Sequence, residues 1–220
     1  SRINITFTGP RVPLETSAMG LEVDNSMMGS KGLGLVGGST LQLFGVSPKP
    51  TWTNIVSTAA AGANTIVLKE TVNWKVGDQL LIATTDFDGD GKNYYDQNEV
   101  IEIAAVANNS PYAGQCTITL RTALKYMHYG ADSMYAEVAV LNRNFVLTGD
   151  STSDASQFGG QLMVRAVKYF QIAGIEVTKF GQRGLMGRYP VHFHQQGAQF
   201  GSYIKDSSIH DNYQRCLAIH

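Results

Sequence analysis

The sequence predicts an all-β protein, with a β-solenoid-like N-terminal module leading into a right-handed parallel β-helix. Three observations carry that expectation. Glycine is abundant, at 23 of 220 residues, and charged residues make up 16%, against roughly 25% in an average globular domain. Short Val-, Ile- and Thr-rich stretches alternate with Gly, Asn and Asp turn residues, while helical periodicity is scarce. The C-terminal region is also self-similar at unequal offsets.

In chain order, strands are expected at 33–36, 41–44, 65–68, 79–83, 99–104, 117–120, 136–140 and 144–147, separated by turns such as Val76-Gly-Asp78. The best helical candidate is the short stretch 58–61 beside Gly62. Residues 1–140 therefore read as a glycine-rich all-β domain, and 141–220 as the first coils of a β-helix. Setting 170–182 over 202–214 places Ile172 over Ile204, Val177 over Ile209 and Gln182 over Gln214, an offset of 32. Val191-His-Phe-His194 then lies over Leu217-Ala-Ile-His220 at an offset of 26, the difference falling in a longer loop around 185–188. An earlier coil is expected with Val146 set 26 residues before Ile172. Unequal coils with strands in register suit a parallel β-helix, because insertions enter turns while strands stack.

Four of the five histidines fall in 192–220. Alternate strand residues share a face, so His192 and His194 point the same way. Stacking puts His194 over His220 at roughly 5 Å, the ordinary strand spacing, and His192 over Ala218. His210 aligns with Thr178 at another edge. Imidazoles bind Zn²⁺-like metals, and near neutral pH they also shuttle protons. The alternative is a hydrogen-bonded histidine ladder that stabilises the coils. The candidate catalytic set is His192, His194, His210 and His220, with Asp211 as carboxylate and Arg188 and Arg215 as cations for a uronate, the ordinary reading of each arginine being a surface salt-bridge residue. A glycosidase needs two carboxylates about 5–9 Å apart, which Asp206 and Asp211 supply if their turn folds back.

A second candidate is Asp86, Asp88 and Asp90 followed by Gly91, with Asp96 and Glu99 beyond. Alternating aspartates before glycine match the first half of a calcium loop. Position twelve is Gln97 and Glu99 comes two places late, so calcium binding and a solvated acidic turn both remain open. No organic cofactor is expected.

A net charge of −1 gives no field for nucleic acid, and no apolar run reaches the roughly 18 residues of a transmembrane segment. The N-terminal residues lack signal-peptide features. Cys116 and Cys216 are read as two buried thiols or one bridge. Asn4-Ile-Thr6 and Asn108-Asn-Ser110 are glycosylation sequons.

Gly187-Arg-Tyr-Pro-Val-His-Phe-His194, Ser207-Ser-Ile-His210 and Arg215-Cys-Leu-Ala-Ile-His220 resemble the β-helix of fibrocystin, fibrocystin-like protein and the transmembrane and cell-migration-inducing hyaluronidases. Upstream, Thr51-Trp-Thr53, Val72-Asn-Trp-Lys-Val-Gly-Asp78, Leu81-Ile-Ala-Thr-Thr-Asp86, Glu99-Val-Ile-Glu102 and Leu141-Asn-Arg-Asn144 are similar to that family's eight-glycine β domain, and Gln157-Phe-Gly-Gly160 to its entry into the β-helix. The resemblance implies an extracellular or cell-surface ectodomain whose coils continue past His220 and contact this chain. Two functions follow as expectations. One is a structural or adhesive module that grips polysaccharide; the other is a hyaluronan-type depolymerase, hydrolase or lyase, built on the histidines. An exposed last rung would be an open sheet edge, prone to pair with a neighbouring chain.

Overall fold

The computed structural model describes residues 1–11, 15–16, 22–23, 29–86, 97–195 and 197–220. It forms two compact units, one of Ser1–Ser47 with Arg143–His220 and the other of Pro48–Asn142.

The first unit is a parallel β-helix whose three sheets are each visited once per coil. The first coil contributes Ile3–Phe7, Gly32–Leu35 and Thr40–Phe44; the second, Phe145–Gly149, Gln161–Val164 and Tyr169–Ala173. The third supplies Ile175–Thr178, Val191–Phe193 and Tyr203–Lys205, and the fourth Ser208–His210 and Leu217–Ile219. Ile172 pairs with Ile204, Val177 with Ile209, and Val191-His192-Phe193 with Leu217-Ala218-Ile219, the registers expected from the repeat. The earlier coil differs from expectation. Val146 pairs with Glu176, while Ile172 finds its preceding partner in Leu43. Residues 145–149 and 169–173 are both five-residue strands with apolar inward positions, so hydrophobic pattern alone does not say which sheet each joins.

Ser1–Ser47, read from the sequence as part of a domain over 1–140, belongs instead to the β-helix unit, and its strands Ile3–Phe7, Gly32–Leu35 and Thr40–Phe44 make the first coil. Leu35 and the alternating Leu41 and Leu43 face the same interior as Val164, Phe170 and Ile172, and that shared apolar column holds them in parallel pairing. The Pro48–Asn142 unit is thus inserted between successive coils, at a turn, where a solenoid tolerates extra chain. Two edge-to-face ring pairs tie coils together, Phe7 with Phe180 at 4.9 Å and Phe170 with Phe193 at 5.3 Å. The buried Lys31 ammonium donates to Asp150 at 3.0 Å, Ser153 at 2.8 Å and the Phe158 carbonyl at 3.0 Å, joining the first coil to the second.

The second unit is a six-stranded antiparallel sheet ordered Trp52–Asn54, Glu137–Val140, Gln79–Ile82, Glu99–Asn108, Cys116–Leu120 and Thr65–Leu68. Ile55, just past the first of these, bridges Leu68 in the last, so the two edges meet at that point. Alternate residues point inward: Leu68, Leu80, Ile82, Ile103 and Ile118 are fully buried. The 58–61 stretch forms no helix, because Ala59 and His128 exchange both backbone hydrogen bonds. Cys116 is buried and Cys216 exposed, both as free thiols. Asn108 Nδ2 donates to the Val72 carbonyl at 2.8 Å, a structural commitment at one sequon.

Candidate functional site

The sheet containing Gln161–Val164, Val191–Phe193 and Leu217–Ile219 carries the histidines on its outer face. Val191 and Phe193 point inward, which leaves His192 and His194 outward with ring centroids 5.0 Å apart. His194 continues the ladder, its N–H donating to the Val164 carbonyl, and His220 does the same to Phe193. His194 and His220 therefore sit on neighbouring rungs at 4.9 Å, as the repeat predicts. His220 reaches further than its rung: its ring also stacks on His192 at 4.9 Å, with 24° between planes. The His192 and His220 Nε2 atoms lie 2.8 Å apart, and His194 Nδ1 lies 3.2 Å from His220 Nε2.

The longer loop around 185–188 buries this site on one side. The Gly187 carbonyl lies 2.8 Å from His192 Nδ1, and Tyr189 packs edge-on against the His192 ring at 5.1 Å. A carbonyl only accepts, so Nδ1 carries the proton and the His192 Nε2 lone pair faces His220. Burial grades across the cluster: His192 is buried, His194 intermediate and His220 exposed. Burial pushes the His192 imidazole below its ordinary pKa despite the Gly187 contact, with His194, His220 and Arg188 adding to the fall. His194 is lowered by burial, then by His220 and Arg165. Both are neutral ligands or bases at neutral pH.

The other expected site residues fall elsewhere. His210 lies on a different sheet, paired with Asp211 at 2.9 Å and with the buried Glu176 carboxylate at 3.6 Å. That places Asp211 with His210 and outside the cluster. Asp206 accepts the Arg143 Nε–H through its backbone carbonyl. Arg188 is buried, contrary to a surface salt-bridge role, and Arg215 is exposed. Asp88, Asp90 and Asp96 lie outside the described residues, and Asp86 is exposed. Glu99 does not fit a calcium ligand: it is buried, accepts the N–H groups of Lys125 and Tyr126, and contacts His128 at 3.0 Å. Sequence reasoning passed over Arg165. It follows Val164, which pairs with Phe193, so it occupies the position of His194 one coil earlier. The signal was the register of Leu162 with Val191.

A groove of about 490 Å³ borders the cluster, lined by Phe193, Tyr203, Ile204, Leu217, Ile219 and His220 among others. Phe193, Ile204, Leu217 and Ile219 continue the interior columns of earlier coils, so the groove extends the apolar core face.

His210 supports a pH prediction. Burial lowers its imidazole pKa, but Glu176 and Asp211 outweigh that, and the net shift is upward from 6.5. A raised folded pKa stabilises fully below the ordinary value and is lost as pH rises through the folded one. The stability gap between wild type and His210→Gln, measured by urea midpoints, should therefore shrink from about pH 5.5 to about pH 8.5.

Residues 157–220 match the family model described as CEMIP beta-helix. The whole chain is 38% identical to a G8 domain-containing protein of Dictyostelium discoideum, of which it covers 18%. Over 87% of its length it is 30% identical to mouse Fibrocystin-L, covering 5% of that protein. The chain therefore spans under a fifth of the length of these relatives. A solved tailspike protein, gp49 of Pseudomonas phage LKA1, aligns with 82% of this chain and 28% of its own at a TM-score of 0.35 and 20% identity. With the coil strands, the β-helix entry and the inserted antiparallel domain all in place, this chain belongs to the fibrocystin- and CEMIP-like family of G8 and β-helix proteins.

Proposed function

We propose that this chain is part of an extracellular or cell-surface β-helix protein that holds an acidic polysaccharide along the outer face bearing the histidines. The observation that carries this reading is the column Arg165, His194 and His220, one cation or imidazole per coil, flanked by His192 and the Tyr189 ring. Such a column repeats at the strand spacing of about 5 Å and suits a linear polymer lying across successive coils. Membership of the family supports the location. A depolymerase is the second reading, favoured by the neutral imidazoles of His192 and His194, which serve as bases for proton abstraction. Among the described residues no carboxylate accompanies the cluster, which favours a lyase over a two-carboxylate hydrolase.

The test is hyaluronan binding and chain length measured together, with wild type, Arg165→Ala and His194→Ala. Binding at low salt that weakens at least about fivefold in Arg165→Ala, with polymer length unchanged, is the expected result. Shortening of the polymer that disappears in His194→Ala selects the depolymerase. Neither binding nor shortening of hyaluronan or a second uronate polymer sinks both.

A further inference from the structure

We infer that His192, His194 and His220 form a binding site for a transition-metal dication of the Zn²⁺ class. The inference rests on ligand geometry and stands independently of the polysaccharide reading. Among the described residues, this is the group of three or more His, Cys, Asp or Glu side chains whose ligating atoms converge, all within 4.8 Å of one another. Two imidazoles bound to one tetrahedral Zn²⁺ at about 2.0–2.1 Å place their nitrogens about 3.4 Å apart. The separations of His220 Nε2 from His192 Nε2 and His194 Nδ1, 2.8 Å and 3.2 Å, sit close to that value, and all three ligand atoms lie within 4.8 Å of one another.

Proton accounting favours the ion over a purely hydrogen-bonded cluster. His192 spends its proton on the Gly187 carbonyl, so its Nε2 offers a lone pair. His220 Nε2 faces both that lone pair and His194 Nδ1, and one ring nitrogen, with at most one N–H, cannot serve both well. A dication serves all three lone pairs at once. The Gly187 contact is also the arrangement that metal-bound histidines use to fix tautomer and ring orientation.

The donor set selects the class of ion. Three imidazoles without carboxylate suit Zn²⁺, Co²⁺, Ni²⁺ or Cu²⁺ and disfavour Ca²⁺ and Mg²⁺, which take oxygen ligands. The Gly187 carbonyl and the Tyr189 ring close the site on the loop side, and three imidazoles on a tetrahedral ion leave a fourth position for water or an anionic ligand. The cluster also spans two coils, His192 and His194 on one and His220 on the next, so an ion would pin neighbouring rungs together.

The experiment strips the 220-residue chain with a chelator and titrates it with Zn²⁺ by calorimetry and with Co²⁺ by visible absorption. One ion per chain, d–d bands of an N-ligated Co²⁺, and a rise in Tm of roughly 5–10 °C at a hundredfold excess over Kd are expected. His194→Ala and His220→Ala, both at accessible positions, should each weaken binding at least about tenfold, whereas His210→Ala should leave it unchanged. Near-UV circular dichroism of each variant verifies the fold. Absence of saturable binding to folded wild type overturns the site, and so does binding that survives the His194→Ala/His220→Ala double variant or disappears in His210→Ala.

Discussion

Replacing Glu99 with alanine should destabilise the Pro48–Asn142 unit by about 3–5 kcal/mol, the cost of removing a buried carboxylate and orphaning its hydrogen-bond partners. The carboxylate accepts the backbone N–H groups of Lys125 at 2.9 Å and Tyr126 at 3.0 Å, and meets His128 Nε2 at 3.0 Å. His128 is fully buried, with its other nitrogen on the Ala83 carbonyl at 2.9 Å. Removing Glu99 therefore leaves two amides and one imidazole nitrogen without their acceptor. The two tryptophans of the chain, Trp52 and Trp74, both belong to this unit, so tryptophan fluorescence reports its unfolding selectively. The urea midpoint should fall by roughly 2 M at an m-value typical of small domains. Added Ca²⁺ should leave the difference intact, because the oxygens of Glu99 are already committed. Burial raises the Glu99 pKa, but the Lys125 and Tyr126 amides and His128 outweigh it and hold it below 4.5. A lowered folded pKa contributes stability above the ordinary value, and that contribution should drain away as pH falls through the folded one. A midpoint that moves by less than a tenth of this amount in Glu99→Ala would show that the carboxylate is dispensable.

Glu99 also shows where sequence reading stops. Its spacing after a run of aspartates looked like a metal loop, yet the first residue of a long strand decided its role: it points inward, at the register where Ile82 faces it on the neighbouring strand. Alternation along a strand is visible in the sequence, but which face is closed over by another segment is not. The histidine cluster was more legible, since the 26-residue offset alone placed His194 over His220. What the offset could not give was the reach of His220 across to His192, which depends on rotamers and on the loop around 185–188 burying one side. The same limit explains the first coil. Gly32–Leu35 and Thr40–Phe44 carry ordinary strand patterns, but their partners lie more than a hundred residues away beyond an inserted domain. Short-range pattern says that these segments are strands; long-range register says which sheet they enter.

The β-helix should lose about 3–5 kcal/mol when Phe180 becomes alanine, the usual cost of deleting a fully buried aromatic ring whose surroundings cannot collapse. The reason for non-collapse is written in the glycines that face it. A Cβ at Gly160 would lie 2.6 Å from the Phe180 ring, and one at Gly159 would lie 2.0 Å from the Lys179 carbonyl. The Gly159-Gly160 segment is pressed against residues 179–181, with the Gly181 N–H donating to the Gly160 carbonyl at 2.6 Å. Other coils hold Phe180 too: its N–H donates to Asn212 Oδ1 at 2.8 Å, its carbonyl accepts from Tyr213, and Phe7 meets its ring edge-on. With the backbone fixed on these sides, removal of the ring leaves a cavity. The loss should appear as an earlier far-UV circular dichroism transition while the tryptophan transition, which belongs to the other unit, stays in place. Gly160→Ala alone should cost about 1–3 kcal/mol through overpacking against the ring. In the Phe180→Ala background the same methyl enters vacated space, so its cost should vanish, giving a coupling of at least about 1 kcal/mol in the double-mutant cycle. Strict additivity would mean that the glycines at the entry to the β-helix are there for some reason other than admitting this ring.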